Sequence, residues 1–447
     1  MHNLLRASAL LALAAPLLVS AAPSLTDVLA NHPNLTQLNQ LLTTNMPDFL
    51  KNLQNTPEPF TFVAPNDHAF IRVPYTDVLG QAFNNKDYEG DITNILNYHV
   101  LPGAHPTSSM NKNGSFQFLS TSLGNQNWSA VTGGQKIGAV LQGNNPPQLV
   151  FTSGLSTRSS VVDQDVEFDG GIIQIIDAFA IPPMPFVYTA DQYNLAFTAQ
   201  SILSFLGAVY SQPSNLSLAT TLNTTNDLTI FAPANIAMEL VSGTLETLSP
   251  ASLKTLLSYH ILPNGPVYSS DFINNTQLPT LLGGNSSVSL TFTFNSYFVN
   301  SARVIASDIL IKNGVLHILD NVLAPNSTAV NINPLTYTQQ PALPTTFSGS
   351  QSFNSSAAPF TTFVPNFYIS ASPSSDTGAA ATGSGGVGGF GGFGTGTGSS
   401  SSAVASATKK GKSAAGGSVR HVAGESRWLG VGVGMVAAVA LGGCLIL

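Results

Sequence analysis

Cysteine is almost missing from this chain. One occurs in 447 residues, Cys444, close to the C-terminal end. No intrachain disulfide can form, so a secreted form must be held by packing, in domains large enough to own a core. The same shortage excludes zinc–thiolate centres and cysteine nucleophiles upstream of that position. Charge is scarce as well, at 8% of residues. Between residues 22 and 327 there are 20 acidic against 9 basic side chains, which disfavours nucleic acid and anionic lipid surfaces as partners. The eight histidines show no ligand spacing such as His-x-x-x-His, and no Gly-x-Ser-x-Gly elbow occurs. A Gly-x-Gly-x-x-Gly match at Gly383–Gly388 lies in low-complexity sequence with no strand before it, so it cannot cradle a dinucleotide. The acidic run Asp163, Asp165, Glu167, Asp169 suggests calcium, but Phe168 and Gln174 stand where an EF-hand needs Gly and Glu. No cofactor is expected.

Both ends of the chain are hydrophobic. Arg6 precedes the apolar run Leu10–Val19 and small residues at Ala21 and Ala22, the pattern of a signal peptide over 1–21. Residues 428–447 carry no charge, and upstream stand the small residues Ser413, Ala415 and Gly416 followed by a polar spacer. Small site, spacer and apolar tail predict a GPI anchor, with 428–447 removed on attachment; a retained transmembrane helix is the alternative. Nine Asn-x-Ser/Thr sequons, at Asn34, Asn113, Asn127, Asn215, Asn223, Asn274, Asn285, Asn326 and Asn354, imply N-glycosylation and exposed loops.

Composition divides the middle. Residues 328–427 are dominated by Ser, Thr, Pro, Ala and Gly and read as a disordered stalk containing the anchor region. Upstream, the chain repeats itself. Phe60–Phe70 matches Leu228–Met238, Asn97–Pro102 matches Ser258–Pro263, and Asp165–Pro182 matches Asp308–Pro325, at offsets of 168, 161 and 143 residues. The falling offset places extra loop in the first copy, within 103–160. Two units of ordinary domain size follow, 22–185 and 186–327.

Each unit mixes helix and strand. Ser249 reads as an N-cap with Pro250 at the first helical position, and Leu253, Leu256, Leu257, His260 and Ile261 share one face. Ile92, Ile95, Leu96, His99 and Val100 repeat that spacing. The alternation Leu290, Phe292, Phe294 predicts a strand. The apolar runs beginning at Gly171 and Gly314 predict strands covered on both faces. His99 and His260 fall on apolar faces and read as core residues. Tyr98 and Tyr259 point about 100° away from them, so each pair reads as a structural joint. Asp165/Asp308 and Asp177/Asp320, shared by both copies, read as hydrogen-bonding turns at strand ends.

These boxes, in this order, resemble the fasciclin (FAS1) domain family. The first box is Thr61, Ala64, Pro65, Asp67, Ala69, Phe70, repeated as Thr229, Ala232, Pro233, Asn235, Ala237, Met238. The second is nearly intact at Asp308, Ile309, Asn313, Gly314, His317, Asp320, Leu323 and Pro325; in the first copy Val166 and Gln174 replace parts of it. The resemblance implies an α+β fold: two tandem FAS1-like domains, each a β-wedge or sandwich with packed helices. It also implies a non-catalytic adhesion or interaction protein of the cell surface, with a fungal character. Carried over residue by residue, the family's interaction motifs fall at Asp308-Ile309 and Tyr259-His260, and at Asp165-Val166 and Tyr98-His99. Expected partners are a surface, matrix or wall protein or glycan, weak homophilic contacts, and the membrane through a lipid anchor. A different reading is a wall-associated enzyme or carbohydrate-binding protein whose site lies in 103–160, with Trp128 as a sugar-stacking platform.

Overall fold

The computed structural model describes residues 22–365 apart from 74–76, 85–88, 113, 144–145, 197–199, 326–330, 337 and 346–357. The signal peptide, the sequons at Asn113, Asn326 and Asn354, the anchor candidates Ser413, Ala415 and Gly416 and the apolar tail therefore lie outside the described residues. Among those described, no helix is long and apolar enough to cross a membrane.

The first unit holds a seven-stranded sheet in the order β2-β1-β7-β6-β5-β4-β3. Its strands are β1 (Phe60–Pro65), β2 (Val100–Pro102), β3 (Gln117–Ser120), β4 (Lys136–Gln142), β5 (Gln148–Thr152), β6 (Arg158–Phe168) and β7 (Gly171–Ile176). The second repeats that topology with β8 (Leu228–Pro233), β9 (Ile261–Leu262), β10 (Gln277–Pro279), β11 (Ser287–Thr293), β12 (Ser296–Val299), β13 (Ala302–Ile311) and β14 (Gly314–Leu319). The one parallel pairing in each sheet joins the two family boxes, β1 with β7 and β8 with β14. Strands so placed are covered on both faces, and β8 and β14 are buried at every position, as their unbroken apolar runs require.

Helices cover one side. Ser249 accepts from the amide of Ser252 and Pro250 opens the helix Pro250–Ser258, as the sequence predicts. Its face residues Leu253, Leu256 and Leu257 enter a core shared with Ile230, Leu316 and Ile318. In the first unit Leu96 joins Phe62 and Ile173 in the same way.

Three expectations change. The alternating run from Leu290 is a hairpin rather than one strand. β11 and β12 pair antiparallel, and Phe294 and Asn295 make the turn at φ 47° and 55°, leaving Phe294 71% exposed. Asp165 and Asp308 sit inside the long strands β6 and β13 instead of at strand ends. There the register slips and both residues take positive φ, 55° and 61°, the geometry of a bulge. Asp177 and Asp320 do lie just past their strands, each accepting a backbone N–H at 2.7 Å from the start of the preceding strand, Ser160 and Arg303 respectively.

The third change concerns where the second unit ends. Composition places the stalk from residue 328, yet segments 331–345 and 358–365 are packed on the second unit. Gln339 is buried, its amide N–H bonding Asp320 and its carbonyl receiving Asn321 Nδ2. Ser204 Oγ donates to the Pro359 carbonyl at 2.6 Å in the interior. Phe360, Val364 and Leu343 pack on the core. Stalk-like composition did not prevent this strap from forming, because its few apolar residues and its free carbonyls find partners on an existing surface.

Gly314 shows how tightly β14 is threaded. Its φ is +152°, and a Cβ there would lie 1.8 Å from the Leu228 carbonyl oxygen. Gly314→Ala is expected to lower stability by about 2–4 kcal/mol in denaturant titration. A chain ended at residue 327 is expected to melt several degrees below one ended at 365, since it loses the strap; equal melting would show that the strap contributes nothing.

Candidate interaction site at the domain junction

The Tyr-His pair is the joint between the helical layer and the sheet, built twice. His99 and His260 are buried. Nδ1 of each donates to a helix carbonyl four residues back, Ile95 or Leu256, at 2.8 Å. Nε2 of each accepts a backbone N–H at 3.0 Å from the chain leaving the last strand, Ala180 or Leu323. That arrangement needs the neutral Nδ1–H tautomer. Burial holds both imidazoles down to about 4, the bond to the helix carbonyl pulling partly back. The neighbouring tyrosines reach the other way: Tyr98 Oη donates to the Lys136 carbonyl and Tyr259 Oη to that of Ser287, at 2.9 and 2.8 Å.

The Asp-Ile box is internal too. Asp308 accepts from the amide and hydroxyl of Ser269, and its own N–H reaches His317 Nδ1, whose Nε2–H is given to the Val267 carbonyl. In the first unit Asp165 accepts from the Thr107 amide, and Gln174 stands in for the histidine: its Oε1 accepts from Asp165 N and its Nε2 reaches the His105 carbonyl. One acceptor and one donor on a planar group are all the position requires, so the substitution of glutamine leaves the joint intact. Ile309 is buried and Val166 half-buried. The fold thus brings each Asp to its loop and each His to its strand, but does not bring the Asp-Ile and Tyr-His boxes together on an exposed face.

The remaining named residues divide. Asn34, Asn127, Asn223, Asn274 and Asn285 are exposed. Asn215 is a correction: it is fully buried and its Nδ2 donates to the Ala208 carbonyl, leaving no space for a sugar in the folded protein. Trp128 is another, since it is half-buried and packs on core clusters of the first unit. The acidic run does not converge; Asp163 meets His32 and Asp165 turns inward, and among the described residues no group of three potential metal ligands gathers.

Sequence reasoning missed the junction between the units, which exists only in three dimensions. The loop 130–132 of the first docks on the start of β8: Ala130 N–H bonds the Lys312 carbonyl, Asp227 N–H the Ala130 carbonyl, and Asp227 Oδ1 accepts from the Thr132 amide at 2.7 Å. Gln135, fully buried, gives its Nε2 to the Lys312 carbonyl. Phe118 stacks on Tyr268 with ring centres 4.4 Å apart and planes 19° off parallel. Beside them opens a cleft of about 450 Å³, lined by Asn111, Phe116, Gln117, Phe118, Lys136 and others from the first unit and by Tyr268, Ser270 and Asp271 from the second.

Two passages of the chain, residues 33–182 and 206–325, match the model of the fasciclin domain. The chain belongs to the fasciclin family. It is similar to a fasciclin-like arabinogalactan protein of Arthroderma benhamiae, 27% identical over 69% of this chain and 68% of that one. A second, from Phaeosphaeria nodorum, is 27% identical over 68% of this chain and 89% of that one. Among solved structures, a FAS1 domain pair from the insect cell adhesion molecule Fasciclin I is 16% identical, covering 65% of this chain and 97% of that one, at a TM-score of 0.31. The two FAS1 domains meet at the junction just described.

The histidine joints make acid the sensitive condition. An unfolded histidine titrates near 6.5, whereas His99 and His260 are held to about 4, so the unfolded chain binds more protons between those values. Their contribution is therefore full above pH 6.5 and lost as pH falls toward 4, on the order of 3 kcal/mol for each. Asp320, which burial pushes up to about 6, works in the opposite sense over the same range and offsets part of it. Reversible thermal melts from pH 7 to 4 should show Tm falling; a flat or rising profile would contradict the neutral joints.

Proposed function

We propose that this FAS1 tandem is a non-catalytic interaction module of the cell surface or wall, secreted, N-glycosylated and held by a GPI anchor. One observation carries the reading. The polar side chains that recur in both domains, Thr61/Thr229, Tyr98/Tyr259, His99/His260, Asp165/Asp308 and Asp177/Asp320, are all engaged in internal hydrogen bonds. What recurs therefore holds the fold, and partner choice is left to the loops, which differ between the copies. The names of the fungal relatives support the same reading.

The anchor would attach at Ser413, Ala415 or Gly416, with glycans on exposed sequons such as Asn34, Asn127, Asn223, Asn274 and Asn285. Many copies at one surface would let weak contacts, to a wall or matrix component or to a second copy, sum to firm adhesion. A carbohydrate-binding role located in residues 103–160 is the second reading. Trp128 does not serve it, but the junction cleft, walled largely by that loop, favours it.

The test is to treat intact cells displaying the protein with a phosphatidylinositol-specific phospholipase C, following release and adhesion together. Release with at least severalfold loss of adhesion is expected. Adhesion unchanged after complete release would reject the adhesive role, and absence of release would reject the anchor.

A further inference from the structure

The junction cleft combines three features. Its walls are aromatic: Phe116 lies 6.1 Å from Phe118 at 28°, and Phe118 continues into the close stack on Tyr268. Its rim is polar and of mixed charge, with Asn111, Gln117, Lys136, Ser270 and Asp271. Third, its floor is closed. Tyr268 is only 4% exposed and its hydroxyl is sealed from solvent, so the polar contacts open to a ligand are those of the rim.

The cleft is also preformed. Thr132 lines it, and the bonds from Thr132 to Asp227 and from Ala130 to Lys312 fix the two domains beside it. Asp227 takes φ 58°, a left-handed conformation that aspartate tolerates, and so turns its carboxylate onto Thr132. Neither domain could form the site alone.

From these features we infer that the cleft binds a short, uncharged oligosaccharide. Sugar rings present C–H faces that pack on aromatic rings, and hydroxyls that both donate and accept. Amides, a hydroxyl and a carboxylate along the rim match the second requirement, and Phe116, part-exposed at the outer end of the stack, matches the first. A cleft of about 450 Å³ is within the range of small-ligand sites. Lys136 does not make the cleft an anion site, because the carboxylate of Asp271 stands in the same lining and offsets its charge. This goes beyond a general adhesive role, since it names both a place and a ligand class.

The experiment is calorimetric titration of the purified full-length chain, after enzymatic removal of its N-glycans, with neutral hexasaccharides of glucose, mannose and N-acetylglucosamine. Binding of at least one is expected, weakened about tenfold by Phe116→Ala, which removes a stacking face. Asp271→Asn should weaken it severalfold. Asp271→Asn should keep the parent melting temperature, and Phe116→Ala, which loses its packing on Phe118, should still melt cooperatively within a few degrees of the parent. Failure of all three sugars to bind at millimolar concentration would overturn the inference, as would binding unaltered in both variants. Adhesion of cells displaying Phe116→Ala separates the two proposals: adhesion retained while sugar binding is lost leaves the glycan site standing and moves adhesion to another surface.

Discussion

A neutral imidazole shared between a helix carbonyl and a strand-exit amide is the contact on which each FAS1 domain depends. His99 and His260 end the helices that pack on the central strands, and their Nε2 atoms catch the chain as it leaves β7 or β14. The chain therefore crosses from helix to sheet and out of the sheet at one buried point. Apolar packing could fill that space but could not specify it, because a leucine there would leave a carbonyl and an amide unpaired inside the core. The tyrosine next in sequence fixes the same helix end to β4 or β11, so two adjacent residues determine how three elements meet.

How much was legible in the sequence follows from the range of each interaction. The helix Pro250–Ser258 was readable because its cap, its proline and its apolar face lie within ten residues of one another. The buried position of His99 and His260 was readable from helical spacing, and the paired domains from the ordered repeats. The role of Asp165 and Asp308 was not, since their partners lie only nine residues away but the bulge is defined by the register of two paired strands, which no residue type signals. The equivalence of Gln174 and His317 was hidden for the same reason. By type the two residues differ; by the acceptor and donor they offer to a strand and a loop, they coincide. Asn215 shows the reverse error, where a local motif was present but the tertiary fold had already engaged its amide.

The two copies have separated along one line. Their sheets keep the same order, including the parallel pair beside the short edge strand β2 or β9, while the connection between β3 and β4 is longer in the first domain than its counterpart between β10 and β11. Residues 130, 132 and 135 of that longer connection reach across to the second domain, and Phe118 in β3 adds its stack. An asymmetry invisible as a motif thus creates the junction, and with it the cleft.

The strap formed by residues 331–336, 338–345 and 358–365 bears on how the molecule would carry load. A pull on the chain beyond Pro365 does not reach β14 first. It arrives at the helix Leu203–Tyr210, where the Pro359 carbonyl is bonded to Ser204 and the Phe360 backbone passes so close to Gly207 that a Cβ would lie 2.0 Å from its oxygen. Tension would therefore peel the strap before it strains the sheet, and the slack released would lengthen the tether while both domains stayed folded. In that way the contacts of Pro359 and Phe360 would stand between the tether and the sheet.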